Sequence, residues 1–340
     1  MTKYFGLKAR ILVKLIRKRK LTVKKAINAL HCYVAYFLKL ERSAKTPFLI
    51  NFELSNHCNE SCVFCRNEEG KIFDLNPKNE GSSIEKGTMK FEVFESILRQ
   101  SKDTLMMAVP YVNGEPFIYK HFSKALEVAN ANNVATMIAT NGLLLNDENI
   151  QIILDHDLDF IKIHVSGFTN PVHQIQHRIG DVELIKANLQ NLAKEIQKRQ
   201  SLLLVMIDYI RYKHNHHELE LFRKFSEDLG FMFSIRPGNP LGLEGSEDLQ
   251  PIDPYVNTLP CDWLWKVLTV NWNGDLLPCC DYVVWKNVEG YGRFDVGSTY
   301  LQDVWNGTSV VQMRRTHRDQ GRDPIPICSQ CTRKGIEFKF

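Results

Sequence analysis

No stretch of this 340-residue chain approaches the ~18 uninterrupted apolar residues that a membrane-spanning helix requires. The longest apolar run, 26–38, is interrupted by Asn28 and His31, so no spanning helix is expected. The N-terminus also lacks a short apolar core followed by a small-residue cleavage site, which argues against a secretory signal. Acidic residues are almost missing from positions 1–45, where Glu41 stands alone against thirteen Lys or Arg. That arm carries +12 while the whole chain carries only +4, so the remainder is acidic. No aromatic interleaving or RNA motif accompanies these charges, which makes nucleic acid an unlikely partner. Hydrophobic content of 44% and charged content of 24% are otherwise ordinary for a globular protein of this size.

Within the basic arm, Val23, Ala26, Ile27, Leu30, Val34 and Phe37 recur at steps of three and four and share one helical face. Two readings are open for an amphipathic helix over 1–47. It packs its apolar face on the rest of the chain and solvates its charges, or it lies on an anionic membrane surface.

Cysteine is abundant. Eight of the nine fall in two tight groups, Cys58, Cys62, Cys65 and Cys261, Cys279, Cys280, Cys328, Cys331, with Cys32 apart. Such clustering without a secretory signal reads as metal binding in a reducing compartment, and the chain is expected to be cytoplasmic; on the second reading of the arm it would sit at the inner face of the membrane. Thiolate suits iron–sulfur clusters and zinc. Three thiolates within eight residues can hold three corners of a four-iron cluster and leave one iron without a protein ligand. A structural zinc would want a fourth ligand, and His57 adjoins Cys58 too closely to chelate comfortably beside it.

Six short apolar runs precede amphipathic stretches. The runs are 48–54, 104–112, 134–140, 160–165, 202–210 and 231–235; the stretches include 91–100, 122–130, 147–154, 182–198 and 218–229. Alternation of this kind predicts an α/β fold with right-handed crossovers and a parallel sheet. The cysteine loop directly follows the first run, at the edge where such folds gather their chemistry. Periodicity alone does not separate six units from eight, or a barrel from an open sheet.

The spacing C-x3-C-x2-C, with Phe64 before the last cysteine, resembles the signature of the radical S-adenosylmethionine (SAM) enzymes. The resemblance implies a partial (β/α)6 barrel over 48–240 and a [4Fe-4S] cluster on Cys58, Cys62 and Cys65. Its open iron chelates SAM, and one-electron reduction by a flavodoxin or ferredoxin yields a 5'-deoxyadenosyl radical that takes hydrogen from substrate. It also implies SAM contacts at successive strand ends. Gly114 and Glu115, in Asn113-Gly114-Glu115-Pro116, would receive the amino group, with glycine permitting close backbone approach. Asn141 and Ser166 would meet the ribose, Arg178 the carboxylate, and the backbone beside Phe64 the adenine.

In the second cysteine group, 267–272 and 276–278 flank Asn273-Gly274-Asp275, a strong hairpin signal. A helix is expected around 301–315. Spacing alone leaves a zinc ribbon open. The pattern C-x12-G-x4-C…C-x2-C resembles the Twitch form of the SPASM extension, which implies one auxiliary [4Fe-4S] cluster on Cys261, Cys279, Cys328 and Cys331 within 241–340. Cys280, one residue past a ligand on a strand, would turn to the opposite face. It is either a packed thiol or a hydrogen donor in an epimerase. Arg236 is a base, a substrate clamp or the partner of an acid.

The resemblance implies oxidation or epimerisation of a sugar or aminocyclitol as the first expectation. Residues 1–47 are too few for the winged-helix domain that peptide maturases usually carry, so a maturase acting on a ribosomally made peptide stands second. An iron–sulfur electron carrier or scaffold without SAM chemistry stands third, and Glu115, Asn141 and Ser166 are the residues a carrier would not need. The charge of the arm favours an anionic or membrane-held substrate such as a lipid-linked glycan.

Overall fold

The structure, a computed structural model, describes residues 11–238, 249, 260–329 and 331. Helices α1 (11–17) and α2 (Val23–Phe37) precede β1 (Leu49–Phe52). A short antiparallel pair follows, β2 (Ile72–Phe73) with β3 (Ser83–Ile84). Next come α3 (Phe91–Ser101), β4 (Met107–Val109), α4 (Phe122–Ala131), β5 (Ala135–Thr140), α5 (Asp147–Asp155) and β6 (Phe160–Val165). The core closes with α6 (Asn170–His177), α7 (Val182–Arg199), β7 (Leu204–Arg211), α8 (Leu219–Asp228) and β8 (Met232–Pro237). The C-terminal part holds α9 (Trp263–Lys266), β9 (Val267–Val270), β10 (Leu276–Leu277), α10 (Leu301–Trp305), α11 (Thr308–Asp319) and α12 (Pro326–Ser329). The boundary region around 240 lies outside the described residues.

One eight-stranded sheet runs in the order β10-β9-β1-β4-β5-β6-β7-β8. Strands β1 and β4 to β8 are the six anticipated parallel strands. Side chains alternate across each strand. Ile161, Ile163 and Val165 of β6 face the surrounding helices, in one core with Phe94, Leu126, Ile153, Leu189 and Phe222. The intervening Lys162 and His164, with Ser166 just beyond the strand, face the inside of the sheet.

The second domain is less separate than the sequence suggested. Its strand β9 pairs in parallel with β1, from Leu49 opposite Val267 to Phe52 opposite Val270. β10 then turns back antiparallel through a turn in which Gly274 takes φ +92. The single helix expected over 301–315 is two, because Gly307 caps a new start after Asn306.

The arm packs against the N-terminal ends of the strands. Leu15, Ala29 and Cys32 join Phe48, Leu49, Met107, Ala135 and Val267 in a second core that plugs this end. Three lysines gather on Asp159, the residue preceding β6. Lys14 and Lys20 bond it closely, and Lys18 lies 3.2 Å away. Burial pushes the Lys14 ammonium down to about 7. Burial alone would raise Asp159, yet the three lysines hold its carboxyl below the usual range.

The apolar face of α2 is not the one that packs, which removes the first of the two open readings. Lys25, Asn28, Ala29, Cys32 and Ala35 are buried, while Val23, Ile27, Leu30, Val34 and Phe37 point outward. Apolar periodicity finds an amphipathic helix but assumes that its apolar side is the docked one. Here small side chains permit close approach, Asn28 donates to the Thr46 carbonyl at 3.0 Å, and Lys25 donates to the Asn133 carbonyl at 2.6 Å.

Candidate active site

The cysteine loop leaves the C-terminal end of β1 and is pinned from below by two charged side chains. Glu53, fully buried, accepts from the backbone amides of Asn113 at 2.7 Å and Gly114 at 3.2 Å. Arg66 donates to the carbonyls of Asn56 at 2.8 Å and Asn113 at 3.4 Å. The Glu115 amide donates to the His57 carbonyl at 2.8 Å. These bonds stitch the loop after β4 to the cysteine loop. Gly114 lies so close that an added Cβ would stand 1.9 Å from the Ser55 carbonyl. The sequence reading assigned that glycine to ligand approach; the structure assigns it to contact between two stretches of backbone.

Cys58, Cys62 and Cys65 share this loop, and each thiol is pushed up by burial, Cys58 to about 12. Buried neutral thiols of this kind become ligands only when a metal displaces their protons. Cys62 Sγ lies 3.3 Å from His177 Nδ1 and 3.2 Å from a Glu60 oxygen, and those two partners are 3.1 Å apart. Among the described residues, Glu60, Cys62 and His177 are the one set of three whose ligand atoms lie within 4.8 Å of one another.

Glu115, Asn141 and Ser166 stand beyond the C-terminal ends of β4, β5 and β6. Glu115 is buried, and its carboxylate accepts from the Thr140 hydroxyl at 2.9 Å and the Asn141 amide at 3.0 Å. Burial pushes it up to about 7. The Asn141 side chain donates to Asn59 at 2.9 Å and approaches Cys58 Sγ at 3.8 Å, so it faces the cysteine loop. The Ser166 hydroxyl is fully buried without a hydrogen-bond partner. An orphaned hydroxyl costs about 1–3 kcal/mol, which a sugar hydroxyl placed there would offset. The Phe64 ring stacks on Tyr212 with centroids 6.0 Å apart. The residues present therefore fit a SAM-bearing cluster.

Arg178 differs from expectation. Its Nη1 donates to the carbonyls of Ser61 at 3.0 Å and Arg66 at 2.7 Å, bracing the cysteine loop from the end of α6. The residue has φ +48 as the cap of that helix. A short helix turning sharply into the loop was not legible in a His-x4-Arg spacing.

Inside the sheet, one register level carries a polar group that sequence reading mostly missed. His164, Asp208 and Ser234 lie opposite one another on β6, β7 and β8. Asp208 accepts from Ser234 at 2.6 Å and lies 3.3 Å from Arg236 Nε and 3.4 Å from His164 Nε2. Burial alone would raise Asp208, but Arg236, His164 and Lys162 hold it far below the usual range. Burial pushes His164 down to about 4, so it is neutral at pH 7. Arg236 is thus the partner of an acid. Glu53 and Asp208 both interrupt apolar strand runs, and a charge there is rarely buried unpaired. That signal could have found them.

In the C-terminal part, burial pushes Cys261 and Cys328 up to about 12 and raises Cys279 well above the usual thiol range. Cys280 opens a short 3-10 helix, Cys280–Val284, where a strand was expected. Its sulfur lies 3.8 Å from the Asp281 carboxylate. With that neighbour it fits a packed thiol. Cys280→Ala should leave turnover and product stereochemistry unchanged; a loss of either, measured by chiral analysis of product, would restore the hydrogen-donor reading.

The profile of the Radical SAM superfamily matches residues 52–222, and that of the SPASM iron–sulfur cluster-binding domain matches 261–332. This chain belongs to the Radical SAM superfamily. It uses SAM, a [4Fe-4S] cluster and auxiliary cluster chemistry, as that family and its SPASM domain do. Mycofactocin maturase MftC of Mycobacterium tuberculosis is 27% identical over 237 residues, covering 66% of this chain and 54% of MftC. The chain thus spans about half the length of these mycobacterial relatives. The tungsten-containing aldehyde ferredoxin oxidoreductase cofactor-modifying protein of Pyrococcus furiosus is 20% identical over 323 residues, covering 82% and 86%. Among solved structures, Streptococcus suis SuiB bound to SAM superposes with TM-score 0.63 at 15% identity, over 88% of this chain and 75% of SuiB. SuiB bound to its precursor peptide SuiA gives 0.58 at 14% identity, over 87% and 73%.

Proposed function

We propose that this chain is a radical SAM maturase that modifies a ribosomally made peptide or protein. One observation supports the SAM chemistry: Glu115 and Asn141 are bonded to each other and to the Cys58–Cys65 loop, and the unpartnered Ser166 hydroxyl stands beyond the next strand. The peptide class is supported by relatives, since MftC is named a maturase and SuiB is described with a precursor peptide. Neither supports the sugar or aminocyclitol reading in particular. When bound, the cluster and SAM supply a hydrogen-abstracting radical. The chain's own residues do the rest. Glu53 and Arg66 fix the cysteine loop, Arg178 braces it, and the His164–Asp208–Arg236 group presents fixed charge to whatever occupies the inside of the sheet.

The test is anaerobic reconstitution with SAM and dithionite, with 5'-deoxyadenosine assayed against panels of peptides and of sugars. Substrate-dependent 5'-deoxyadenosine with a mass change on a peptide supports the proposal. Coupling to a sugar alone overturns the peptide class. No 5'-deoxyadenosine under any condition would return the chain to the electron-carrier reading.

Glu53 gives a pH test of the same scaffold. Burial pushes its carboxyl up to about 7 from an ordinary 4.5. As pH rises from 4.5 to 7 the unfolded chain loses this proton before the folded one does, so stability falls through that window. The change is on the order of 3 kcal/mol. The urea midpoint of the cluster-free protein should therefore drop between pH 4.5 and 7, and Glu53→Gln should lessen that slope, the remainder coming from Glu115, which burial raises in the same way. An equal slope in both proteins would refute the assignment.

A further inference from the structure

We propose that the outward face of the N-terminal arm docks on an anionic lipid bilayer, with the mouth of the barrel turned away from it. Val23, Ile27, Leu30, Val34 and Phe37 fall within about 80° of arc on α2. They are strongly exposed, Val23 at 76%, Leu30 at 60% and Phe37 at 71%. The buried side, Lys25, Asn28, Ala29, Cys32 and Ala35, lies diametrically opposite. The apolar stripe is therefore surplus to folding. It runs about 21 Å along the helix axis, and Leu12, Val13 and Ile16 of α1 are exposed as well, with Leu38 and Leu40 just past the end of α2. No other part of the described surface concentrates large exposed apolar side chains in this way.

Charge selects the occupant. Residues 11–40 contain no Asp or Glu. The one acid of the arm, Glu41, is neutralised by Arg315 at 2.8 Å and Arg318 at 3.1 Å. Lys14, Lys18 and Lys20 are taken up by Asp159, and Lys25 by a backbone carbonyl. Arg17, Arg19, Lys24, Arg42 and Lys45 remain exposed, Lys24 near the exposed Asp103 at 3.5 Å. An apolar stripe on an arm with an excess of exposed cations is complementary to a layer with anionic headgroups and an apolar interior. An ordinary protein partner would present charges of both signs.

The arm sits on the N-terminal ends of the strands, whereas the cysteine loop leaves the C-terminal end of β1. A bilayer under the arm therefore leaves the catalytic edge facing water. Substrate arrives from the aqueous side, which removes the earlier expectation of a membrane-held substrate.

The test is flotation of the full chain, loaded with its clusters, with phosphatidylcholine vesicles and with the same vesicles containing phosphatidylglycerol. Wild type should float with the anionic vesicles, less so at high salt, and stay at the bottom with phosphatidylcholine alone. The exposed-face variant I27D/L30D/V34D should lose flotation while keeping its iron content and melting temperature. R17E/R19E should weaken it by about fivefold for each arginine removed. Flotation equal in wild type and I27D/L30D/V34D, or absent in wild type, overturns the proposal. A sedimentation shift showing that the stripe joins two copies, abolished by the same variant, overturns it in favour of a dimer.

Discussion

Cys62→Ala is expected to fold, to retain the auxiliary cluster, and to form no 5'-deoxyadenosine. Cys62 has its sulfur set against Glu60 and His177. Two remaining thiols leave a second corner of the cluster without a protein ligand. Iron analysis after anaerobic reconstitution should show a loss of about half the metal if one cluster of two is gone. 5'-Deoxyadenosine should fall to the level of the enzyme-free control. His177→Ala makes the comparison informative. That ring touches the sulfur without being one of the three cysteines, so the variant should keep its iron while the reduction potential of the loop cluster shifts. Retention of 5'-deoxyadenosine formation by Cys62→Ala would show that the open-iron geometry belongs elsewhere.

Asp159→Ala should be the most destabilising single change outside the cysteines. It leaves Lys14 and Lys20 at the closed end of the barrel without their shared carboxylate, while Lys18 keeps Asp157. Breaking a buried ion pair from one side typically costs about 3–5 kcal/mol. Asp159 also accepts from the Thr136 amide at 3.0 Å, so the start of β5 loses a bond as well. A fall of the urea midpoint is expected, together with protease cleavage within 11–48 under conditions where wild type is resistant. Asp159→Asn keeps the hydrogen-bonding shape and should recover only part of the loss. Wild-type stability in Asp159→Ala would mean that the arm is held by its apolar contacts alone.

Most of the framework was legible because it depends on local pattern. The long helices begin within a residue of their expected starts; α3 begins at Phe91 and α7 at Val182, as the periodicity required. The six core strands are short, buried apolar runs of the kind a parallel sheet needs. Cysteine spacing identified both metal-binding groups. What escaped were contacts between segments far apart in sequence. Nothing near Gly114 announces that the Ser55 carbonyl fills the space of its missing side chain. Arg178 bonds carbonyls more than a hundred residues away. The polar group around Asp208 exists only because three strands share one register. The arm stayed open for a different reason: an amphipathic pattern gives the helix but not which side docks, and here small and hydrogen-bonding residues pack while the large apolar ones face outward.

The pairing of β9 with β1 makes the two metal-bearing halves one mechanical body. All four residues of β1 are buried, and both of its edges are hydrogen-bonded, one to β4 and the other to β9. Cutting the chain ahead of Trp263 would strip one edge and bare a row of amides and carbonyls on an apolar strand, the template on which separate molecules stick together. The C-terminal half therefore serves as a solubility shield for the catalytic half as well as a holder of iron.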